Sequence, residues 1–124
     1  MNRANKKSSK KYKQKLKKVR RQREPNAALG PYLSGFEPKD ANKVFKVALN
    51  VFTLTKNRDA AGLAFQATIN MPDPSVAASE FSRIAALAPG NPDIQNDFGA
   101  LLCRADRFEE AEEVLLQALN LAPS

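Results

Sequence analysis

Histidine is absent from the 124 residues, which excludes the side chain that most enzymes use as a general base near neutral pH. Without histidine, the Cys–His and Ser–His pairs of nucleophilic catalysis cannot form. The five glycines stand singly and lack the spacing of a phosphate-binding or dinucleotide-binding loop. Carboxylates cluster only within residues 109–113, where we expect them to be solvated and of ordinary acidity. The sequence therefore predicts a protein that is not an enzyme and has no cofactor.

Cysteine is almost absent as well. Cys103 is the only one, so neither an internal disulfide nor a thiolate metal site can form. We therefore predict no bound metal. Because Cys103 falls in the middle of a predicted helix, we expect it to be a small buried hydrophobic residue.

Long hydrophobic runs are also missing. No apolar run of the length of a signal peptide follows the basic start, and no segment approaches the length of a membrane span. Few acids and several Ser, Lys and Arg partly fit a mitochondrial leader, but Lys outnumbers Arg two to one there and the amphipathic face is poor. The sequence therefore predicts a cytoplasmic protein without a transmembrane segment.

Positive charge, by contrast, is abundant and concentrated in residues 1–24, which we call the basic tail. The tail holds 12 Lys or Arg and one Glu, a net charge of +11, whereas residues 25–124 hold 8 basic and 12 acidic side chains, a net charge of −4. With few large apolar side chains, chiefly Tyr12, Leu16 and Val19, the tail cannot collapse on its own, so we predict that it is disordered in isolation. The spacing of these three residues, four and then three, would align them on one side of a helix formed on a partner.

A basic tail attracts polyanions, and several partners fit. Nucleic acid comes first, because Lys and Arg neutralise phosphates and release counterions. An anionic membrane surface is second, although the tail lacks the apolar groups that anchor a segment in the interface. Residues 17–23 also fit a nuclear address, and the remaining alternatives are a solubilising arm or one that docks on the acidic part of the chain itself. The candidate polyanion contacts are Lys10, Lys11, Lys13, Lys15, Lys17, Lys18, Arg20, Arg21 and Arg23.

Residues 25–38 have the composition of a linker, with three prolines and two glycines. The same segment displays Leu29, Tyr32, Leu33 and Phe36, so we expect it to pack against the first helix; a docking peptide for another protein is the alternative. The predicted organisation is thus a basic tail over 1–24, a linker over 25–38 and a helical domain over 39–124.

Five helices are expected in residues 39–124. Apolar residues recur at three- and four-residue spacing over 40–56, 59–71 and the two segments after Pro92 and Arg107, as buried helix faces require. Asn91-Pro92 and Asp73-Pro74 have the form of an N-cap followed by a proline in the first turn. Asp106 with Glu109 has the form of a capping box. The helices should therefore start near residues 74, 92 and 107, preceded by two more.

The tripeptide Leu-Ala-Pro occurs at residues 87–89 and again at 121–123, an offset of 34 residues that is the period of the tetratricopeptide repeat. Between the two copies, the sparse pattern of that family falls in register, and the segment resembles one good repeat. Its small residues, at positions where two helices cross closely, are Gly99, Ala111 and Ala118, and its large ones include Phe98 and Leu115. The remaining matching positions are Leu102 and Pro123, while Gln95 replaces the usual Trp, a change that weakens the outer packing of the hairpin.

Shifting back by 34 residues gives a second, degraded copy, so the resemblance covers residues 58–124. Its second helix keeps Ala77, Phe81 and Pro89 in register, whereas its first helix has Phe65 where the family has a small residue. Either this hairpin packs wider or its register slips. The resemblance implies an all-α fold, a right-handed stack of antiparallel helical hairpins of about five helices.

In related repeats, the first helix of each hairpin lines a concave face that binds a protein or peptide. Carried over by position, the partner-binding residues implied by the resemblance are Asp59, Gln66, Asn70, Asp93, Asn96, Ala100 and Arg104. Repeat arrays normally close with a polar helix, yet the last predicted helix carries Leu116, Leu119 and Leu121, so we expect a C-terminal interface there, through which the chain self-associates or binds a partner.

The function predicted from the sequence is a non-catalytic adaptor or scaffold, with a cationic tail that tethers it to nucleic acid or another acidic surface. One alternative is a nucleic-acid-binding or ribosome-associated protein in which the tail is the main element. Another is the N-terminal portion of a larger bacterial glycosyltransferase or methyltransferase, which the basic start of the chain weakly resembles.

Overall fold

The structure, a computed structural model, describes residues 25–122, and within that range all regular structure is helical. A 3-10 turn, Pro25–Leu29, leads into a short helix, and a second 3-10 turn, Pro38–Asp40, leads into the long helices. The basic tail and Pro123 lie outside the described residues, and so do the predictions made for them. The helices are α1 (Gly30–Leu33), α2 (Ala41–Thr55), α3 (Arg58–Ile69), α4 (Pro74–Leu87), α5 (Pro92–Arg104) and α6 (Phe108–Leu121). The all-α prediction with five long helices is confirmed.

The helices start where polar side chains cap them. The Asn91 side chain accepts a hydrogen bond from the Ile94 N–H at 3.1 Å, and the Asp73 side chain accepts one from the Ser75 N–H at 2.9 Å. Both caps precede a proline in the first turn, where its missing N–H costs nothing, as the sequence predicted. Asn57 caps α3 in the same way, accepting from the Asp59 N–H at 2.7 Å.

The predicted capping box of Asp106 and Glu109 is wrong. Asp106 has a φ of 58° and ends α5 instead of starting α6, because the N–H of the next residue, Arg107, donates to the Leu102 carbonyl at 2.9 Å. This bond closes the C-terminus of a helix through a left-handed residue. Arg107 then takes the N-cap position of α6 without a side-chain cap, and its guanidinium pairs with both carboxylate oxygens of Glu110 at 2.9 and 2.6 Å.

The five long helices form a stack in which each packs on its neighbours along the chain. Successive helices contact one another, and α2 also contacts α4 while α3 contacts α5, so the helices alternate between two layers. The core runs through these contacts without a break. The buried side chains of α2 are Ala41, Val44, Phe45, Ala48, Leu49, Val51 and Phe52.

The segment predicted as a linker contains helical turns and joins the core. Leu29 is 1% exposed, and Tyr32 and Phe36 are partly buried against the core. The 3-10 turn around Leu29 contacts α2 and α3. This segment therefore covers part of the first long helix, whereas Leu33 points to solvent.

Equivalent positions of the two hairpins are buried in the same register. Ala77 and Phe81 of α4 are fully buried where α6 has buried Ala111 and half-buried Leu115. In the first helices of the hairpins the residues differ, since Phe65 stands at the position of Gly99. The register has thus not slipped, and the sequence pattern is degraded without a change of fold.

Gln95 replaces a large aromatic residue with a polar link. Its side chain is 7% exposed, and its amide nitrogen donates to the carbonyls of Ala85 at 3.0 Å and Ala88 at 3.1 Å. Both carbonyls belong to the C-terminal end of α4, where helical partners are missing. Gln95 therefore joins the start of α5 to the end of α4 by hydrogen bonds, in addition to its packing.

Candidate functional site

Every residue predicted to line the partner-binding face is exposed. On each helix they follow one side, because residues three, four or seven apart in a helix share a face. Asn70 stands at the C-terminal end of α3, and its Nδ2 donates to the Gln66 carbonyl at 2.8 Å. The α3 members are Asp59, Gln66 and Asn70, and the α5 members are Asp93, Asn96, Ala100 and Arg104. We call this set the polar face.

The two halves of the polar face meet at Arg104. Its Nη1 donates to the carbonyl of Ile69 at 3.3 Å, across 35 residues of sequence. Ile69 is the last residue of α3 and directly precedes Asn70. The structure thus brings the C-terminal ends of α3 and α5 together. The remaining members of the polar face have no printed contact across the two helices.

Charge is distributed unevenly along the polar face. Asp59 and Asp93 lie in the first turns of α3 and α5, while Arg104 lies in the last turn of α5. In a stack of antiparallel hairpins α3 and α5 run in the same direction, so the acids lie at one end of the face and the Arg at the other. Such a face can orient an extended peptide by its charges.

Asp97, one turn after Asp93 on α5, has a pKa raised above its ordinary value. Burial of the carboxyl is the main cause, because desolvation disfavours the charged form, and repulsion from Asp93 adds to it. The negative charge of α5 is therefore partly frustrated in the folded protein.

A second candidate surface is an apolar groove along α6, which we call the end groove. It has a volume of about 630 Å³ and lies where a further hairpin would stack on α5 and α6. Its most exposed apolar side chains are Phe108 at 61%, Leu116 at 54% and Leu119 at 72%. The other lining residues are Pro92, Asp93, Asn96, Cys103, Ala111, Glu112, Leu115, Ala118 and Ala122.

Two of the three leucines predicted to form a C-terminal interface line the end groove. These are Leu116 and Leu119, whereas Leu121 is 42% exposed and lies outside the lining. The sequence missed Phe108, which belongs to the first turn of α6. The alternation of small and large residues along α6, with Ala111 and Ala118 recessed, forms the floor of the groove.

The expectation that Cys103 is buried is wrong. The residue is exposed and lines the end groove, because its neighbours Leu101 and Leu102 occupy the buried side of α5. Its mid-helix position says nothing about which side of the helix it takes. The thiol is thus accessible from the groove.

A third surface lies at the other end of the stack. A cavity of about 620 Å³ is bordered by the turn around Ala27 and Ala28 and by one side of α2, including Val51 and the 71%-exposed Leu54. Both ends of the described stack therefore carry apolar recesses.

Among residues 25–122, no three His, Cys, Asp or Glu side chains are arranged to hold a metal ion. Over the same range, no helix is both long and apolar enough to cross a lipid bilayer.

Comparison with known proteins identifies the C-terminal part of the chain. A family model described as tetratricopeptide repeat matches residues 73–124. This part of the chain belongs to the tetratricopeptide-repeat family. The predicted family is thus confirmed, and the match begins at the N-cap of α4 and spans α4, α5 and α6. No curated protein and no solved structure gives a significant match to the chain.

Tetratricopeptide repeats are protein-interaction modules, and the family is generally non-catalytic. The match supports this broad function for the chain. It leaves α3, the helix that carries Asp59, Gln66 and Asn70, outside the matched residues.

Proposed function

We propose that the chain is a cytoplasmic, non-catalytic adaptor whose polar face binds a segment of another protein. The observation that carries this proposal is the exposed polar face on α3 and α5, joined at one end by the Arg104–Ile69 hydrogen bond. Exposed side chains on two helices of like direction form a track for an extended or helical peptide.

The charges of the polar face suggest the chemistry of this peptide. Asp59 and Asp93 favour a basic residue or a free amino group at one end of the peptide, and Arg104 favours a carboxylate or carbonyl at the other. Between them, Gln66, Asn96 and Ala100 offer amide hydrogen bonds and a small apolar contact. The face lacks the paired basic residues that clamp a terminal carboxylate, so a different mode of recognition is expected.

We further propose that the basic tail tethers the adaptor to nucleic acid. The support is its net charge of +11 over 24 residues, against −4 for the rest of the chain. Lys and Arg in such a density bind phosphate backbones without reading their sequence.

Partner capture by the full chain tests the polar face. Asn96→Arg places a long charged side chain on the face and should abolish capture of proteins that the unmodified chain retains from a lysate, as identified by mass spectrometry. Ser79→Arg, an exposed position on α4 outside the polar face, is the matched control and should leave the captured set unchanged. Capture that survives Asn96→Arg and fails with Ser79→Arg would contradict the assignment.

A second experiment separates the adaptor from a protein that acts mainly through its tail. Replacing Lys13, Lys15, Lys17 and Lys18 with Gln should reduce the salt dependence of single-stranded RNA binding by about 3 in the slope of log K against log salt, at about 0.7 for each lost phosphate contact. The captured proteins should remain the same. If the substitutions also remove every captured protein, the tail and not the polar face is the functional element.

A further inference from the structure

The end groove combines an apolar floor with acidic neighbours. Asp93 and Glu112 line it, and Glu109 and Glu113 are exposed on the same helix as its floor. Residues 92–124 hold seven acidic and two basic side chains, a net charge of −5, whereas residues 25–91 have a net charge of +1. The negative charge of the folded part is therefore concentrated in the hairpin that forms the groove.

The groove is open to a large ligand. Phe108, Leu116 and Leu119, spaced along one side of α6, are each more than half exposed. Exposed apolar groups that cluster in this way mark an interface. From Phe108 to Ala122 the groove follows about 21 Å of helix, at 1.5 Å per residue.

The basic tail contains a segment with the complementary pattern. In residues 10–23, Tyr12, Leu16 and Val19 recur at helical spacing, and nine of the remaining residues are Lys or Arg. As a helix, this segment would present a narrow apolar stripe between two basic flanks. Its 14 residues would extend about 21 Å, which matches the length of the groove.

We propose that the end groove binds residues 10–23 of a second copy of the chain as an amphipathic helix. The apolar stripe would cover the leucines of α6, and the basic flanks would face the acids beside the groove. A second copy is inferred because residues 20–24 span at most about 18 Å even when extended. They join the turn at Pro25, whose helical segment contacts α2 and α3, while the groove lies on α5 and α6.

The proposal has a consequence for assembly. The tail of one copy and the groove of the next are different surfaces, so the contact is heterologous and can repeat along a chain of molecules. Nucleic acid that occupies the same basic side chains would compete with the groove. Self-association through this contact is independent of what the polar face binds.

Disulfide trapping in the full-length protein tests the contact, because Cys103 is the only native thiol and lines the groove. A chain carrying L16C and C103S is mixed with the unmodified chain under mild oxidation. We expect a heterodimer linked between residue 16 of one chain and Cys103 of the other, identified by mass spectrometry of the linked peptides. K18C with C103S is the matched control, because residue 18 falls on the opposite side of a helix, and it should give several-fold less heterodimer.

Three outcomes would overturn the proposal. One is a chain that sediments as a monomer at every concentration up to the millimolar range. Another is an L16C chain that links to its own Cys103, since residue 16 would then occupy the groove of the same molecule. The third is self-association that persists unchanged in L16D.

Substitutions in the groove sharpen the result. L116D should weaken self-association by at least about tenfold, which corresponds to 1.4 kcal/mol, because a carboxylate would be buried against the apolar stripe. L54D, which alters the apolar recess at the other end of the stack, should leave self-association unchanged. Circular dichroism of both variants checks that they remain folded. Association lost in L54D and kept in L116D would place the contact at the wrong end of the molecule.

Discussion

The hairpins α3–α4 and α5–α6 place small and large residues differently at the same repeat position. In α5–α6, Gly99 lies against Leu115 so closely that a Cβ on Gly99 would be 2.5 Å from Leu115 Cδ2. In α3–α4, the equivalent pair is Phe65 and Phe81, whose ring centroids are 5.9 Å apart in an edge-to-face arrangement. Contact between α5 and α6 is accordingly more extensive than between α3 and α4.

The comparison shows that the repeat preserves register while it exchanges volume between helices. The large side chain of Phe65 is accompanied by small neighbours on α3, Ala61 and Ala64, and by Thr68, which is buried and donates its hydroxyl to the Phe65 carbonyl at 2.7 Å. Phe81 also lies 6.5 Å from Phe98 between ring centroids, so one side chain joins both hairpins.

The largest effect is expected at Phe81, where the comparison can be broken. Phe81→Ala should lower the free energy of unfolding by about 3–5 kcal/mol, because it removes a fully buried ring that contacts both hairpins. Leu115→Ala, at the equivalent position of the other hairpin, should cost about half as much because Leu115 is only half-buried. Urea unfolding of both variants measures the difference, and equal losses would contradict it.

At Gly99 the expected effect is smaller and depends on Leu115. Gly99→Ala should cost about 1–2 kcal/mol, because overpacking against Leu115 outweighs the higher helix propensity of Ala. In a chain that already carries Leu115→Ala, the same substitution should instead stabilise the protein by about 0.5–1 kcal/mol.

Gly62→Ala is the matched control for this cycle. Gly62 lies inside α3 with open space around the position of a Cβ, so the substitution should stabilise by about 0.5–1 kcal/mol. If Gly99→Ala stabilises the unmodified chain as Gly62→Ala does, the close approach of α5 and α6 is refuted.

Gln95 gives an effect of similar or smaller size. Gln95→Leu keeps the side-chain volume but leaves the carbonyls of Ala85 and Ala88 without their donor, at a cost of about 1–3 kcal/mol in the free energy of unfolding. Gln66→Leu, an exposed position on α3, should change it by less than about 0.5 kcal/mol. Chemical denaturation followed by circular dichroism compares the two. Equal effects would show that the hydrogen bonds of Gln95 contribute nothing.

The smallest effect concerns Asp97. Because its folded-state pKa is raised above 3.8, stability contributed by its protonated form is present at low pH and is lost as pH rises through the folded pKa. Asp97→Asn should therefore raise the melting temperature slightly at pH 7 and leave it nearly unchanged at pH 3. The effect is small since solvent screens a half-exposed carboxylate. A variant that melts lower than the unmodified chain at pH 7 would contradict the sign.

Much of the fold is predictable from sequence because its signals are local. The caps at Asn91 and Asp73 precede prolines, and the apolar spacing defines five helices within a few residues of their actual ends. The 34-residue offset then fixes which helices are equivalent. These features depend on residues that are close in sequence, so no knowledge of the tertiary structure is needed.

The errors arose where tertiary or backbone geometry decides. Asp106 suits an N-cap by residue type, yet it takes a left-handed conformation because the end of α5 is closed by the Arg107 N–H. Cys103 suits a buried position by residue type, yet the side of α5 it occupies is covered by no described element. The donor–acceptor pairing of Gln95 depends on the end of a different helix, ten residues away.

The candidate site was predictable only in part, for the same reason. The exposed positions of the polar face follow from the repeat pattern, but the hydrogen bond of Arg104 to Ile69 depends on how two hairpins stack. The end groove was anticipated through Leu116 and Leu119, while its walls on α5 were not.

Proton NMR of the full-length protein tests the stacked arrangement most directly, through nuclear Overhauser effects at two places in the core. The structure predicts contacts from the Leu115 methyl groups to the Gly99 α-protons and from the Phe81 ring to the rings of both Phe65 and Phe98. Leu115 methyls that show no contact with Gly99, together with a Phe81 ring that contacts only one of the two partners, would contradict it.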